Sequence, residues 1–444
     1  MRTRAEGRAG LARDALVGAA AASLLVLGRF EVLAAFAVLA VLAIPVGSWL
    51  GLVHARERWL LGVFVAAVGV RTLVALVAEF GASMGFFASD DYRYEVVGWE
   101  LARYWMGESS APPEIFGPKG YYRWNALLFV LVGRVPLAPA LGNAAVGGAI
   151  AVLAWQVARR LTDASGARAA AWLTALWPSL VLWSSLNLKD ALAILALLLL
   201  LHGAQHCMER IGLRGVALAL AGVLLLGELR GYLVGLSVGS LALAFLLARL
   251  RASPLMMGAA LVALVVPLAL LSPVQTLPID ESFETLDAAR AQLAVGRAAY
   301  ASGADVSTPL GALRYLPLGL TYFLLAPAPW QLLGPRQLLT LPEMLAWYAL
   351  LPFVVSGLVG ALRERFVQAL PVATLAFGLT VSYALVEGNL GTAYRHRAQV
   401  LVLFLIFAGA GLARRRAARR AAACRMPPGA EPGALAVGTG GAAA

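Results

Sequence analysis

The sequence predicts an all-α integral membrane protein of about twelve transmembrane helices, with further re-entrant or interfacial helices packed against them. Three observations predict this class. Of the 444 residues, 61% are hydrophobic and 14% charged, and the mean hydropathy is +0.78. A soluble globular chain is about half apolar and about a quarter charged. Uncharged stretches such as Val32 to Leu52 and Pro254 to Gln275 are each long enough for a hydrocarbon core of about 30 Å. Finally, the arginines cluster between apolar runs: Arg2, Arg4 and Arg8; Arg56 and Arg58; Arg159, Arg160 and Arg168; Arg210 and Arg214; Arg249 and Arg251; Arg363 and Arg365; and Arg414 to Arg420. That spacing is the positive-inside signature of cytoplasmic turns.

The same distribution disposes of another class. A net charge of +12 and a pI near 10.2 would suit nucleic acid if they formed one patch. Here they are divided among turns, so no nucleic-acid partner is expected. Cys207 and Cys424 are the only cysteines, and both fall on the side assigned to the cytoplasm, which argues against a disulfide framework or a Cys-ligated metal. The basic start could be a signal peptide, but Asp14 and the lack of a convincing cleavage site favour an uncleaved first span.

With a cytoplasmic N-terminus, spans are expected at 10–29, 32–53, 59–80, 141–158, 169–186, 190–208, 213–229, 231–249, 255–274, 340–361, 366–386 and 397–413. Every arginine cluster then falls on one side. The apolar stretches Trp124 to Ala140 and Leu313 to Trp330 are broken by prolines, and counting either one alone as a crossing would invert all later turns. They are expected to be re-entrant or interfacial, where irregular backbone is tolerated inside protein. Residues 1–58 form a basic segment with two additional spans, 59–413 the main module, and 414–444 a basic and then disordered cytoplasmic tail. Extracytoplasmic loops are expected at 81–139, 275–339 and 387–397.

These loops hold the candidate chemistry. Residues 89–105 read as an amphipathic surface helix, with Tyr94, Val97, Leu101 and Trp105 on its apolar face and Arg93, Glu100 and Arg103 elsewhere. Asp90 and Asp91 open it. N-capping accounts readily for one aspartate and less well for two. The protein's two lysines, Lys119 and Lys189, both fall in outer segments, beside aromatic residues or Asp190. Lysine is a compact point charge suited to a phosphate oxygen. Arg395, His396 and Arg397 place three potential cations at an outer face, against the positive-inside tendency, and a lipid phosphate is the natural counter-charge. Snorkelling anchors would account for the same residues. Arg71 lies within a span and is read as pairing inside the bundle or snorkelling, and the His202/His206 pair lacks a third metal ligand.

The opening Asp90–Asp91–Tyr92–Arg93–Tyr94 resembles the start of the catalytic loop in polytopic GT-C glycosyltransferases, such as the bacterial lipid A aminoarabinose transferases and protein O-mannosyltransferases. PKGYYRWNALLF resembles the family's segment in which a lysine precedes aromatic residues, and LGLTYFLLAPAPWQ, LPEMLAWY and GNLGTAYRHRAQVLVLFLIFAGAGL are similar to uncharacterised bacterial members. The resemblance implies a GT-C-like fold with Asp90 and Asp91 as catalytic residues. It implies Lys119, Tyr122, Lys189, Asp190, Arg395, His396 and Arg397 as substrate-binding residues. It further implies a polyprenyl-phosphate sugar as donor, membrane lipid as surroundings, and a glycan, lipid or protein as acceptor. No metal ligand and no obligatory cofactor are implied, and a role for a divalent metal is left open. The implied location is the bacterial cytoplasmic (inner) membrane, with the active site extracytoplasmic. Two spans precede the one leading to the acidic loop, where the family commonly has none or one, and no large extracytoplasmic domain is read at the C-terminus. The alternatives are a lipid-linked glycan flippase or export component, an O-antigen ligase or polymerase using a diphosphate-linked glycan, and a secondary transporter. The segment 275–339 contains no histidine, which disfavours the ligase.

Overall fold

The computed structural model describes residues 30–54, 57–81, 90–250, 279–296, 298–331 and 338–425. Within them the chain is all-α. Its helices are α1 (Phe30–Val53), α2 (Arg58–Gly81), α3 (Asp90–Trp105), α4 (Lys119–Val132), α5 (Leu137–Ala158), α6 (Ala164–Leu176), α7 (Pro178–Trp183) and α8 (Asp190–Glu209). They continue as α9 (Leu213–Arg230), α10 (Tyr232–Leu250), α11 (Ile279–Leu293), α12 (Pro309–Leu325), α13 (Leu341–Glu364), α14 (Phe366–Val386) and α15 (Leu390–Arg425). Eight of these, α1, α2, α5, α8, α10, α13, α14 and α15, are long and apolar enough to cross a bilayer. The chain is a multi-pass membrane protein.

The expected spans at 10–29 and 255–274 lie outside the described residues. Several boundaries need correction. The span expected at 169–186 is two helices, α6 and α7, because Pro178 cannot donate to Thr174 and the chain turns at Trp177, which is extended. The freed carbonyls are not left bare. Arg71 of α2 donates to Ala175 O at 2.7 Å and Thr174 O at 3.5 Å, and further to Ser184 Oγ at 2.6 Å and to Ala67 O of its own helix at 3.0 Å. Of the two readings, pairing inside the bundle holds and snorkelling does not: Arg71 is buried, its partners are carbonyls and a hydroxyl, and it holds a broken helix together.

The stretch Trp124 to Ala140 is not one element. It is divided between α4 and the first turn of α5 at a break where Gly133 has φ 81°. At 14 and 17 residues, α4 and α12 are only about 21 and 25 Å long, short of a hydrocarbon core. Within the region 275–339, α12 covers much of the stretch Leu313 to Trp330 expected as a helix, and α11 is a further helix not expected from the sequence. The expected loop 387–397 is helical from Leu390, and the basic segment that follows the span 397–413 continues the same helix as far as Arg425, so α15 is much longer than that span; the disordered tail expected after Arg425 lies outside the described residues.

Helix α3 buries a different stripe from the one expected. Tyr94, Gly98, Leu101 and Ala102 are buried, Val97 is half-buried and Trp105 is exposed. Gly98 permits the shift: a Cβ there would lie 2.5 Å from Asn125 Cβ of α4. Close approach recurs in the core. The parallel pair α13 and α15 meets at Gly357 and Gly411, where a Cβ would strike Phe407 O and Phe353 O respectively. Without a hydrophobic drive between helices inside lipid, such backbone contact is what holds spans together.

Gly357→Val should destabilise the purified protein by at least about 1–3 kcal/mol, the usual cost of overpacking. Thermal unfolding in detergent measures it, and an unchanged transition would mean that the contact is loose.

Candidate functional site

One end of the bundle gathers the N-termini of α3, α8 and α15 with the C-terminus of α9. At its centre Asp190, the first residue of α8, has no exposed surface. Its Oδ1 accepts from Arg230 Nη2 at 2.7 Å. Its Oδ2 accepts from Arg395 Nε at 2.9 Å and Nη2 at 2.7 Å. The remaining edge of Arg395 reaches outward, donating from Nη1 to Asp90 Oδ2 at 2.8 Å. Side-chain exposure rises along this chain from 0% at Asp190 to 2% at Arg230, 14% at Arg395 and 49% at Asp90. The inner end of the chain is closed to solvent, whereas Asp90 is half-exposed.

Each member sits where local structure puts it. Asp90 does not cap its helix in the usual way; its carboxylate goes to Arg395, while Asp91 Oδ1 accepts from the backbone N–H of Tyr92 at 2.7 Å. Partial burial pushes the Asp91 carboxyl above the usual range, with the neighbouring Asp90 charge adding to the effect. Trp183 lies under Arg395, 5.9 Å from ring centre to guanidinium. The turn Ser184–Lys189 is held by Asn143, whose amide donates to Leu186 O at 2.8 Å and Leu188 O at 2.9 Å. Lys189, at the end of that turn, makes no ion pair among the described residues. Burial, together with the charges of Arg230 and Arg395, pushes it down to about 8, against the opposing pull of Asp190 and Asp90. A lysine so placed is a cation in reserve.

The basic triplet is not one patch, which corrects the sequence-based picture. Successive helix residues point about 100° apart, and the three go to different partners. Arg395 joins the aspartates. His396 Nε2 accepts from Arg230 Nη1 at 3.1 Å, and its Nδ1 bonds the buried Glu387 carboxylate. Since arginine offers donors only, Nδ1 carries the ring proton. Arg397 turns to the end of α12, donating to Ala326 O at 2.8 Å and Leu324 O at 3.1 Å. Asp190 pairs with arginines and not with either lysine. Lys119 is exposed at the rim, next to the contact of Gly120 with Glu228, and takes no part in the network. Tyr122 is buried, its ring 5.3 Å from that of Tyr94 and within electrostatic reach of Asp90 and Arg93.

Arg230 and Glu387 were not among the sequence candidates. The available signal was Arg230's position: a lone arginine at a turn between apolar helices, on the side otherwise depleted of arginine clusters. The opposite end holds Arg160 paired with Glu209 at 2.6 Å and bonded to His206 at 3.0 Å. Among the described residues no three His, Cys, Asp or Glu side chains lie close enough to share a metal ion.

No protein-family model and no curated protein matches the chain. Among solved structures it is similar to the archaeal oligosaccharyltransferase AglB from Archaeoglobus fulgidus in complex with an inhibitory peptide and a dolichol-phosphate. Identity is 13% and the TM-score 0.47, over 85% of this chain and 52% of that one. This chain thus spans about half the length of that structure.

Asp190→Asn should cost about 3–5 kcal/mol, because it strips a buried charge from two arginines. Chemical or thermal unfolding reads this, and the exposed Asp90→Asn serves as reference, with an expected loss below about 1 kcal/mol. Equal losses would show that Asp190 is not the buried centre of the network.

Proposed function

We propose that the chain is a GT-C-like inverting glycosyltransferase, moving a sugar from a polyprenyl-phosphate carrier to an acceptor at the extracytoplasmic face of a bacterial cytoplasmic membrane. The observation that carries this reading is the bracketing of Arg395 by a buried carboxylate on one side and a half-exposed one on the other. Asp190 and Arg230 hold the guanidinium in place. Its outer edge and Lys189 then supply positive charge where a donor phosphate would sit. The orientation rests on the arginine clusters, which among the described residues collect at the opposite end of the bundle.

The step runs as a single displacement. The acceptor hydroxyl oxygen attacks the anomeric carbon from the face opposite the phosphate, and the carbon–oxygen bond to the phosphate breaks, its electron pair leaving with the phosphate. The hydroxyl proton passes to Asp90, which must lie within hydrogen-bond reach of that hydroxyl. Charge accumulating on the leaving phosphate is held by Arg395 and Lys189, a preorganised stabilisation of the oxyanion-hole kind. Donor phosphate competes with Asp90 for the Nη1 edge of Arg395, so donor binding frees the base it needs. A monophosphate leaving group held by two such cations does not oblige a divalent metal. The apolar bundle accommodates the prenyl tail.

Asp90→Asn should lower sugar transfer from a prenyl-phosphate donor by about 10²- to 10⁴-fold while leaving donor binding intact. A flippase or export component would keep its transport with this change, and retained transport without transfer would refute the enzyme reading. Lys189 is cationic below about pH 8 and neutral above it. Donor affinity should therefore fall as pH rises through that value, and Lys189→Gln should flatten the profile. Affinity that is constant or rising across the same interval in the parent protein would remove Lys189 from phosphate binding.

A further inference from the structure

At the end of the bundle remote from Asp90, α6 and the C-terminal part of α15 leave a groove of about 700 Å³ between them. The sequence of α6 grades it along its length. Ser165, Arg168, Trp172 and Leu176 recur at three- and four-residue spacing, so they share one helix face. On the other wall stand Arg416 and Leu412 of α15. The two arginines are therefore together at the end of the groove, and the apolar residues follow toward the middle of the bundle. Trp172 is 37% and Leu176 48% exposed, a large apolar surface with no protein over it among the described residues.

Among the described residues no carboxylate lies within ion-pairing distance of Arg168 or Arg416. Arg168 is held in place by stacking over Trp59, 4.7 Å from the ring centre. The nearby Asp163 is occupied at the helix cap, accepting from Gly166 N at 2.7 Å and Ser165 Oγ at 2.9 Å. A guanidinium stacked over Trp59 and a second on the facing wall, above an apolar channel, reproduce the polarity of a lipid in one leaflet, phosphate at the surface and chain toward the midplane. Arginine favours phosphate for its forked donors. A zwitterionic headgroup would bring its own cation against the two guanidiniums, whereas an anionic one would not.

We propose that this groove is a binding site for one anionic glycerophospholipid of the surrounding leaflet, with its phosphate between Arg168 and Arg416 and an acyl chain against Trp172, Leu176 and Leu412. The site is independent of the transferase reading and lies at the other end of the protein.

The test is native mass spectrometry of the delipidated full chain in detergent, offered phosphatidylglycerol or phosphatidylcholine with matched acyl chains. Phosphatidylglycerol should be retained preferentially, and Arg416→Gln should reduce that preference about fivefold, the equivalent of one arginine near a charged surface. Arg415→Gln removes the same charge from the adjacent residue, which stacks on Phe353 outside the groove, and should leave the preference unchanged. Adding Arg168→Gln to Arg416→Gln should abolish it; if that double variant does not fold, the comparison of the two single variants decides. Equal retention of the two lipids overturns the proposal. So does an equal effect of Arg415→Gln and Arg416→Gln, which would mean a diffuse basic surface. A dimer that forms at the expense of bound lipid would also overturn it, since the groove would then belong to a second copy of the chain.

Discussion

Asp190 has no exposed surface, and a carboxylate in that position must be neutralised where it stands. Moving an unpaired charge out of water costs several kcal/mol even after the surroundings relax. This chain meets that cost with two arginines from different helices, three hydrogen bonds in all. The pairing ties α8, α9 and α15 together at one end, and Arg395 extends the tie to α3 through Asp90. The position of the exposed acid thus depends on the buried one. Arg230 is itself fixed on a second side by His396, which Glu387 orients.

The surroundings show similar economy with polar groups. Pro178 breaks a membrane-buried helix, and the carbonyls it orphans are taken by Arg71. The break lets the chain turn through Ser184–Lys189, and Asn143 holds that turn by two of its carbonyls. Glu343 secures the neighbouring wall, accepting from Trp177, Ser179 and Tyr394 at 2.6–2.7 Å. Tyr394 immediately precedes Arg395, and Trp183, which underlies Arg395, packs 6.3 Å from the Tyr394 ring. Both carboxylate oxygens of Glu343 are paired, and a buried polar group satisfied in this way favours a single arrangement for the wall from which Arg395 projects.

Much of the fold was legible because the bilayer imposes it. Hydropathy and arginine placement locate most helices, and the composition of 89–105 foretells α3 to within one residue. Element boundaries were less legible where a proline or glycine changes direction: Pro178 ends α6, and Gly133 precedes α5. Of the candidate residues, Asp90, Asp190 and Arg395 come together because a buried charge needs an opposite one beside it, and Lys189 adjoins them through the chain. The fate of the triplet could not be read from composition, because orientation around a helix axis depends on where the helix starts. With α15 beginning at Leu390, not near Arg397, the three side chains diverge. Arg230 was hidden for a related reason: its place at a turn on the arginine-poor side marks it out, but its partner is 40 residues away in sequence.

The central claim is that Arg395, held by Asp190 and Arg230, presents a phosphate-binding edge beside the Asp90 carboxylate. An experimental structure with a bound prenyl monophosphate tests it most directly. The account predicts the phosphate within hydrogen-bond distance of Arg395 and Lys189, with Asp90 released from Arg395 and facing the sugar-bearing oxygen. A phosphate bound away from Arg395, or Asp90 and Asp190 found at opposite ends of the bundle, would contradict it.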